Sequence, residues 1–472
     1  MKKQCFNPYL PSWEYVPDGE PHVYDGRVYV YGSHDKFNGF VYCMNDYICW
    51  SAPVDDLSDW QYEGVIYKKT QDPRNPDGRM NLFAPDVTQG PDGRYYLYYV
   101  LDGLPIVSVA VCETPAGEYR FYGYVTYSDG TILGEREGDQ PQFDPGVLTE
   151  GDVTYLYTGF CGRDDKSRKG AMATVLACDM LTIVKEPVFV IPSQPYSEGT
   201  GYEGFEFFEA PSMRKFGDTY YLVYSSISSH ELCYATSKSP TSGFEYGGVI
   251  VSNCDKHIST YKEPEMSTYF AGNNHGGMAE INGQMYIFYH RHTNGTNFSR
   301  QACAEPIELQ TDGSIKQVEM TSCGLNGKPL SGNGEYPAYI ACNLFSKTNS
   351  NNYPFHHDSW MDGNFPKITQ DGRDGDEETG FIANMRDSTI AGFKYFTFEN
   401  VKRIIVKTRA YAHGHFEIKT SWDGETLATI KIDSSNIWKE SSADVDLPDG
   451  VFPLYIEYKG TGGISLASFR LE

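Results

Sequence analysis

Asp86-Val87-Thr88-Gln89-Gly90-Pro91-Asp92-Gly93-Arg94-Tyr95-Tyr96-Leu97-Tyr98-Tyr99 decides how the chain is read. It holds an ionisable residue, a turn signal and a tyrosine-rich strand, in that order. Asp-Gly ahead of an aromatic run marks a hairpin, because few residues tolerate the positive φ of a tight turn. The same unit recurs on both sides. Asp18 precedes Val28-Tyr29-Val30-Tyr31, and Asp144 precedes Tyr155-Leu156-Tyr157. Glu209 precedes Tyr220-Tyr221-Leu222-Val223-Tyr224, and His275 precedes Tyr286-Ile287-Phe288-Tyr289. The ionisable groups recur every 58 to 68 residues, each at or just before the start of a β-repeat. Such repeats, each a small antiparallel sheet, read as the blades of a propeller. With the first strands innermost, the five groups converge on one central site.

After each tyrosine strand comes a run rich in Ala, Val and Ser, such as Val107 to Cys112 or Leu232 to Ser237, then a polar turn and another strand. Long amphipathic helices are absent, so the expected class is all-β. Breakers cluster between about Cys323 and Tyr336, and the tyrosine unit stops there. The expected division is a five-bladed β-propeller over residues 1–325 and a β-sandwich, jelly-roll-like, over 326–472. In the second unit, Phe393, Tyr395, Phe396 and Phe398 are spaced too closely for alternation to bury them all in one core. Some are expected to pack on the propeller, in a fixed interface.

A formal net charge of -24 argues against nucleic acid and anionic membranes, which attract basic surfaces. It suits a neutral substrate. The 37 tyrosines suit strands and sugar surfaces, pairing a stacking face with a polar tip. Met1 to Pro8 holds two lysines and no apolar stretch, from which a cytoplasmic location is expected. The eleven cysteines, never spaced Cys-x-x-Cys, read as reduced and mostly buried, Cys112, Cys178, Cys233 and Cys303 among them. Gly199 to Gly204 fits G-x-G-x-x-G, but no βαβ unit surrounds it. The acidic run Asp371 to Glu378 lacks EF-hand spacing and reads as a solvated loop, with a structural calcium site as the alternative.

The blade starts resemble glycoside hydrolase family 43. The resemblance rests on Pro17-Asp18-Gly19-Glu20-Pro21, Phe83-Ala84-Pro85-Asp86, Phe143-Asp144-Pro145, Phe208-Glu209-Ala210-Pro211 and Asn274-His275-Gly276 with Tyr289-His290-Arg291. It implies an inverting five-bladed propeller enzyme with Asp18 as general base, Asp144 orienting the acid and tuning its pKa, and Glu209 as general acid. The family's base is usually followed by proline; here Gly19 follows Asp18 and the proline follows Glu20, so Glu20 stands as the alternative base. The last 130 residues are similar to carbohydrate-binding modules of family 6, through Gly450 to Gly460 and Ile464 to Phe469. Their opening strand, Tyr339 to Asn343, lacks the acidic ligands usual there. Trp360, Tyr395 and Trp438 are open between sugar contact and core.

Inversion needs a carboxylate to deprotonate water on one face of the sugar and a carboxylic acid to protonate the leaving oxygen on the other. Burial against Phe207 or Phe208, and a nearby Asp144, would raise the pKa of Glu209 as that role demands. Asp86, His275, Arg291 and Arg300 are the candidate substrate contacts. For Asp86 a structural role at the inner end of blade two is equally open. His275 is open between holding a hydrated cation through waters, a sugar hydroxyl and a core role. The expected activity is exo-hydrolysis of terminal pentosyl residues, as an α-L-arabinofuranosidase acting on plant-derived oligosaccharides, with no cofactor needed for the chemistry. β-D-xylosidase and a non-catalytic carbohydrate-binding propeller are the alternatives.

Overall fold

Four consecutive four-stranded antiparallel sheets and one three-stranded sheet follow one another along the first 307 residues of the computed structural model, which describes residues 3–347 and 365–472. Each is a simple meander. Blade one is Glu20–Tyr24, Arg27–Tyr31, Tyr47–Pro53 and Gln61–Tyr67. The first strands of the others are Leu82–Gln89, Gly146–Glu150, Phe207–Phe216 and Met278–Ile281. These five inner strands touch in a closed ring, blade five returning to blade one. A parallel bridge between Gly19 and Gly276 seals that last junction.

The turns follow from their residues. Asp25-Gly26 and Asn282-Gly283 have φ of 48° and 76°, and of 50° and 79°, the two positive values a type I′ hairpin requires. The tyrosine strands lie second in each blade and are almost wholly buried, because both faces of a blade are covered by its neighbours. The chain start fills the open edge of blade five. Tyr9 N donates to Ala302 O, Asn7 Nδ2 donates to Ala304 O, and Asn7 Oδ1 accepts from Ala304 N.

After the propeller strands, two sheets, each of six strands among the described residues, face each other as a sandwich. One is built around Thr389–Phe398 and Gly450–Thr461, the other around Arg403–Ala410 and Ile464–Leu471. A register shift between Phe393 and Phe396 resolves the crowding in this strand. Phe393, Phe396 and Phe398 all turn into the sandwich core. The residues left to face the propeller are Lys394 and Tyr395, which both reach Glu319. The interface is therefore polar at this strand, where the sequence suggested an aromatic one. One apolar cluster nevertheless runs from blades four and five into the sandwich.

All eleven cysteines are free, and most are buried. Cys178 is exposed and Cys112 half-buried, because both lie at or beyond the ends of their strands. Trp438 packs edge-on to Phe381 under the Arg409 guanidinium, while Trp360 lies outside the described residues. Among the described residues, no helix is long and apolar enough to cross a membrane.

Candidate active site

At one end of the ring of inner strands opens a cavity of about 410 Å³, lined by Asp18, Asp144, Glu209, His275 and Arg300. Asp18 and Asp144 each lie two residues before an inner strand, with φ of 58° and 44°. Left-handed backbone costs a non-glycine residue about 1–2 kcal/mol, least for Asp and Asn. At these two positions it turns the carboxylate off the end of the strand toward the axis. Gly276 shows why the fifth blade needs glycine there: a Cβ would meet Phe288 O at 1.9 Å.

Asp18 sits on the polar side of the cavity. Arg300 Nη1 donates to both its oxygens, at 3.0 and 3.3 Å, contacts suited to a carboxylate. The same guanidinium is clamped from behind by Asp35, which accepts from Arg300 Nε and Nη2 at 2.8 and 2.9 Å. Beside it, His290 Nδ1 accepts from the Asp18 N–H at 3.2 Å, and Nε2 donates to Asn273 O at 2.7 Å. Burial, with Arg300 nearby, holds His290 well below the usual imidazole range, so the neutral tautomer is fixed.

Glu209 lies against an aromatic wall. Phe83, Phe143, Phe160 and Phe208 contact one another in series, with ring centroids 5.1–5.7 Å apart. Burial pushes the Glu209 carboxyl well above its ordinary range, and the Asp144 and Asp18 charges push it further. Asp144 is itself raised to about 7, by burial first and then by Asp18, against the pull of His275. Burial would lower the His275 pKa, but Glu20, Asp144 and Asp18 outweigh it and raise the imidazole to about 9. His275 lies 3.8 Å from Asp144 and 3.5 Å from Glu20. A cation is thus set between carboxylates beneath a carboxyl that keeps its proton.

Two sequence candidates lie elsewhere. Asp86 is fully buried outside the cavity: it accepts from His22 at 2.6 Å, and from Val87 N and Val147 N at 2.8 Å each, tying blade two to blade three. Burial raises its pKa, but His22 and Arg214 reverse that and hold it below the usual range. Pairing explains the displacement. Asp86 stands opposite Tyr98 and Ser212 opposite Val223, while Phe83 stands opposite Val100 and Glu209 opposite Ser225. With the two tyrosine strands aligned, Asp86 corresponds to Ser212, and the counterpart of Glu209 is Phe83. The signal was present in the shared Ala-Pro of Phe83-Ala84-Pro85-Asp86 and Glu209-Ala210-Pro211-Ser212. Arg291 also misses the cavity; it donates to Ala341 O at 2.7 Å and to Tyr339 O, binding the propeller to the sandwich.

Glu20, the alternative base, is paired away from the cavity. Its Oε2 accepts from Arg214 at 2.6 Å and from Ser212 at 2.8 Å. Sequence reading did not single out Tyr42, Asp35 or His230. Tyr42 and His230 line the cavity; His230, edge-on to Phe208 at 4.7 Å, is lowered by burial to about 4.

A profile of glycosyl hydrolases family 43 matches residues 15–315, nearly the whole propeller. The chain belongs to family 43. It is thus a glycoside hydrolase of an inverting family. A xylosidase/arabinosidase of Thermoclostridium stercorarium is 68% identical over 471 residues, covering 100% of this chain and 99% of the relative. A Bacteroides ovatus xylosidase/arabinosidase is 27% identical, over 66% of this chain and 97% of its own. Among solved structures, an arabinoxylan arabinofuranohydrolase of Bacillus subtilis in complex with cellotetraose covers 98% of this chain and 97% of its own. With a TM-score of 0.52 and 19% identity, it shows a shared fold across both sheet systems. A β-xylosidase/α-arabinofuranosidase from a compost metagenome, in complex with xylotriose and described as calcium-free, has a TM-score of 0.51 at 26% identity. That match covers 66% of this chain and 96% of the other.

Proposed function

We propose that the chain is an exo-acting, inverting glycosidase that removes terminal pentosyl residues from plant-derived oligosaccharides. Asp18 serves as general base, Glu209 as general acid and Asp144 as the residue that tunes Glu209. The observation that carries this is the asymmetry of one small cavity. A guanidinium-held carboxylate stands on its polar side, and a carboxyl with a strongly raised pKa stands against its aromatic wall. Asp18 takes a proton from a water molecule as the water oxygen bonds to the anomeric carbon; the glycosidic bond breaks, and Glu209 gives its proton to the departing oxygen. A cavity of about 410 Å³ lies at the small end of ligand pockets, suiting a chain end better than a polymer midsection. Arg300 fixes the base, and His275 balances charge below the sugar. Arabinofuranose is the leading sugar; the names of the relatives favour β-D-xylose as a second reading. Activity on 4-nitrophenyl α-L-arabinofuranoside, with the anomer of the first product followed by NMR, tests it. Retention of configuration, or no turnover of arabinoside or xyloside, would end the proposal.

Calcium enters this reading only at His275. The cluster Glu20, His22 and Asp86, whose ligand atoms lie within 4.8 Å of one another, does not fit a directly bound cation. Arg214 fills it, 2.6 Å from Glu20 and 3.1 Å from His22. Beside His275 and Glu20 Oε1, a hydrated cation would have to replace the imidazolium proton. A rise in melting temperature with calcium, reversed by chelation and absent in His275→Ala, is the expected mark. The residue 1–325 and 326–472 division, and a family 6 kinship for the sandwich, are likewise part of this proposal.

A further inference from the structure

The acidic run Asp371 to Glu378 does not lie free in solvent throughout. Asp374 reaches across to the propeller, where its Oδ1 accepts from Phe37 N at 2.6 Å and its Oδ2 from Asn45 Nδ2 at 3.2 Å. Gln370 accepts from Tyr15 OH at 2.9 Å, and Tyr15 stacks on Phe37 at 5.6 Å. All these contacts converge on the loop 32–46 of blade one.

That loop is the cavity's wall and the base's support. It carries Tyr42 and Cys43, which line the cavity. It also carries Asp35, which clamps the Arg300 that holds Asp18, and Asn45 Nδ2 donates to Asp35 O at 3.1 Å as well as to Asp374. The path from the sandwich to the base is therefore a chain of hydrogen bonds, Asp374, Asn45, Asp35, Arg300, Asp18, in which every link but the neutral one from Asn45 to the Asp35 carbonyl involves a charged group. A second arm reaches the opposite sequence end of the site. Lys394, fully buried, donates to Asp255 at 2.7 Å, and Leu344 N donates to Thr268 O at 2.9 Å. Both grip the segment 252–273, whose Phe270 to Asn273 line the cavity.

We infer that the sandwich is a positioning element of the active site, and that Asp374 is the residue through which it aims the Asp35–Arg300–Asp18 chain. This rests on the base role proposed for Asp18. Asp374→Ala in the full chain should lower kcat about tenfold, equally on 4-nitrophenyl and alkyl glycosides, with KM moving less. Asp374→Asn, which keeps an acceptor for Phe37 N, should recover part of the loss. Ile430→Val, in the sandwich core away from the propeller, should lower the melting temperature and leave kcat unchanged. Hydrogen exchange gives a readout independent of turnover: amides in 34–46 should exchange faster in Asp374→Ala, with blade three unchanged. Unaltered exchange in that loop, wild-type kcat in Asp374→Ala, or an equal kcat loss in Ile430→Val would overturn the inference. A wild-type chain that cleaves no glycoside would instead overturn the proposed function, while the exchange measurement still decides the coupling.

Discussion

The cavity and the buried cluster beside it are built on one ring of inner strands, the cluster on three of the five, yet they treat charge in opposite ways. In the cluster, Glu20, His22, Asp86 and Arg214 pair so closely that each carboxylate has a cation within 2.6–3.7 Å. In the cavity, burial raises the pKa of Asp144 and of Glu209, and His275, 3.8 Å from Asp144, together with Arg300 offsets that rise only in part. Position in the repeat brings a group to the axis; incomplete compensation is what leaves it able to move a proton.

The same Asp→Asn change made once in each region tests this contrast. Asp18→Asn should cut kcat/KM by about 10²–10⁴ or more on every substrate, since water activation is lost whatever the leaving group. Glu209→Gln should fall as far on alkyl glycosides but keep more activity on 4-nitrophenyl ones, whose leaving group needs little protonation. Asp86→Asn should instead cost about 3–5 kcal/mol of stability, read from denaturant unfolding, because it takes the carboxylate from His22 and leaves the buried Arg214 with Glu20 as its one remaining counter-charge in the cluster. Its kcat should fall far less than that of Asp18→Asn; an equal fall would erase the distinction.

Smaller effects follow. Activity should be lost as pH rises through the Glu209 pKa, because the acid must hold its proton. Asp144→Asn removes a negative charge that raises this pKa, so the alkaline limb of kcat/KM should move to lower pH; a move upward would refute the assignment. Arg291→Met should leave KM and kcat near wild type while costing about 1–3 kcal/mol, from two carbonyls left without their donor.

The blades, their order and the five axial positions were legible because period-2 strands, turn residues and repeat spacing are local properties. So were Asp18, Asp144, Glu209, His275 and Arg300, which meet in the cavity. Depth along the axis was not. A three-residue offset past Ala-Pro sends Asp86 into the paired cluster; the shared Ala-Pro marks the offset in the sequence, and cross-strand pairing turns it into a depth. Asp35 and Asp374 were invisible for another reason. Each acts through partners far along the chain, Arg300 in one case and Phe37 in the other. The assignment of Arg291 failed likewise, since an arginine one residue beyond His290 points across the strand to the opposite face.

Closure of the ring by the chain start sets an order for biosynthesis. Asn7 and Tyr9 leave the ribosome well before the strand they complete, Arg300–Ile307, which is made some 290 residues later. Until then blade one lacks its neighbour, and the first residues have nowhere to dock. Asp374 and Lys394 come later still, so the loops around the site are gripped only after all five blades have been made. Nascent chains therefore carry open sheet edges while all five blades are being made, the condition under which β-proteins most need protection from aggregation.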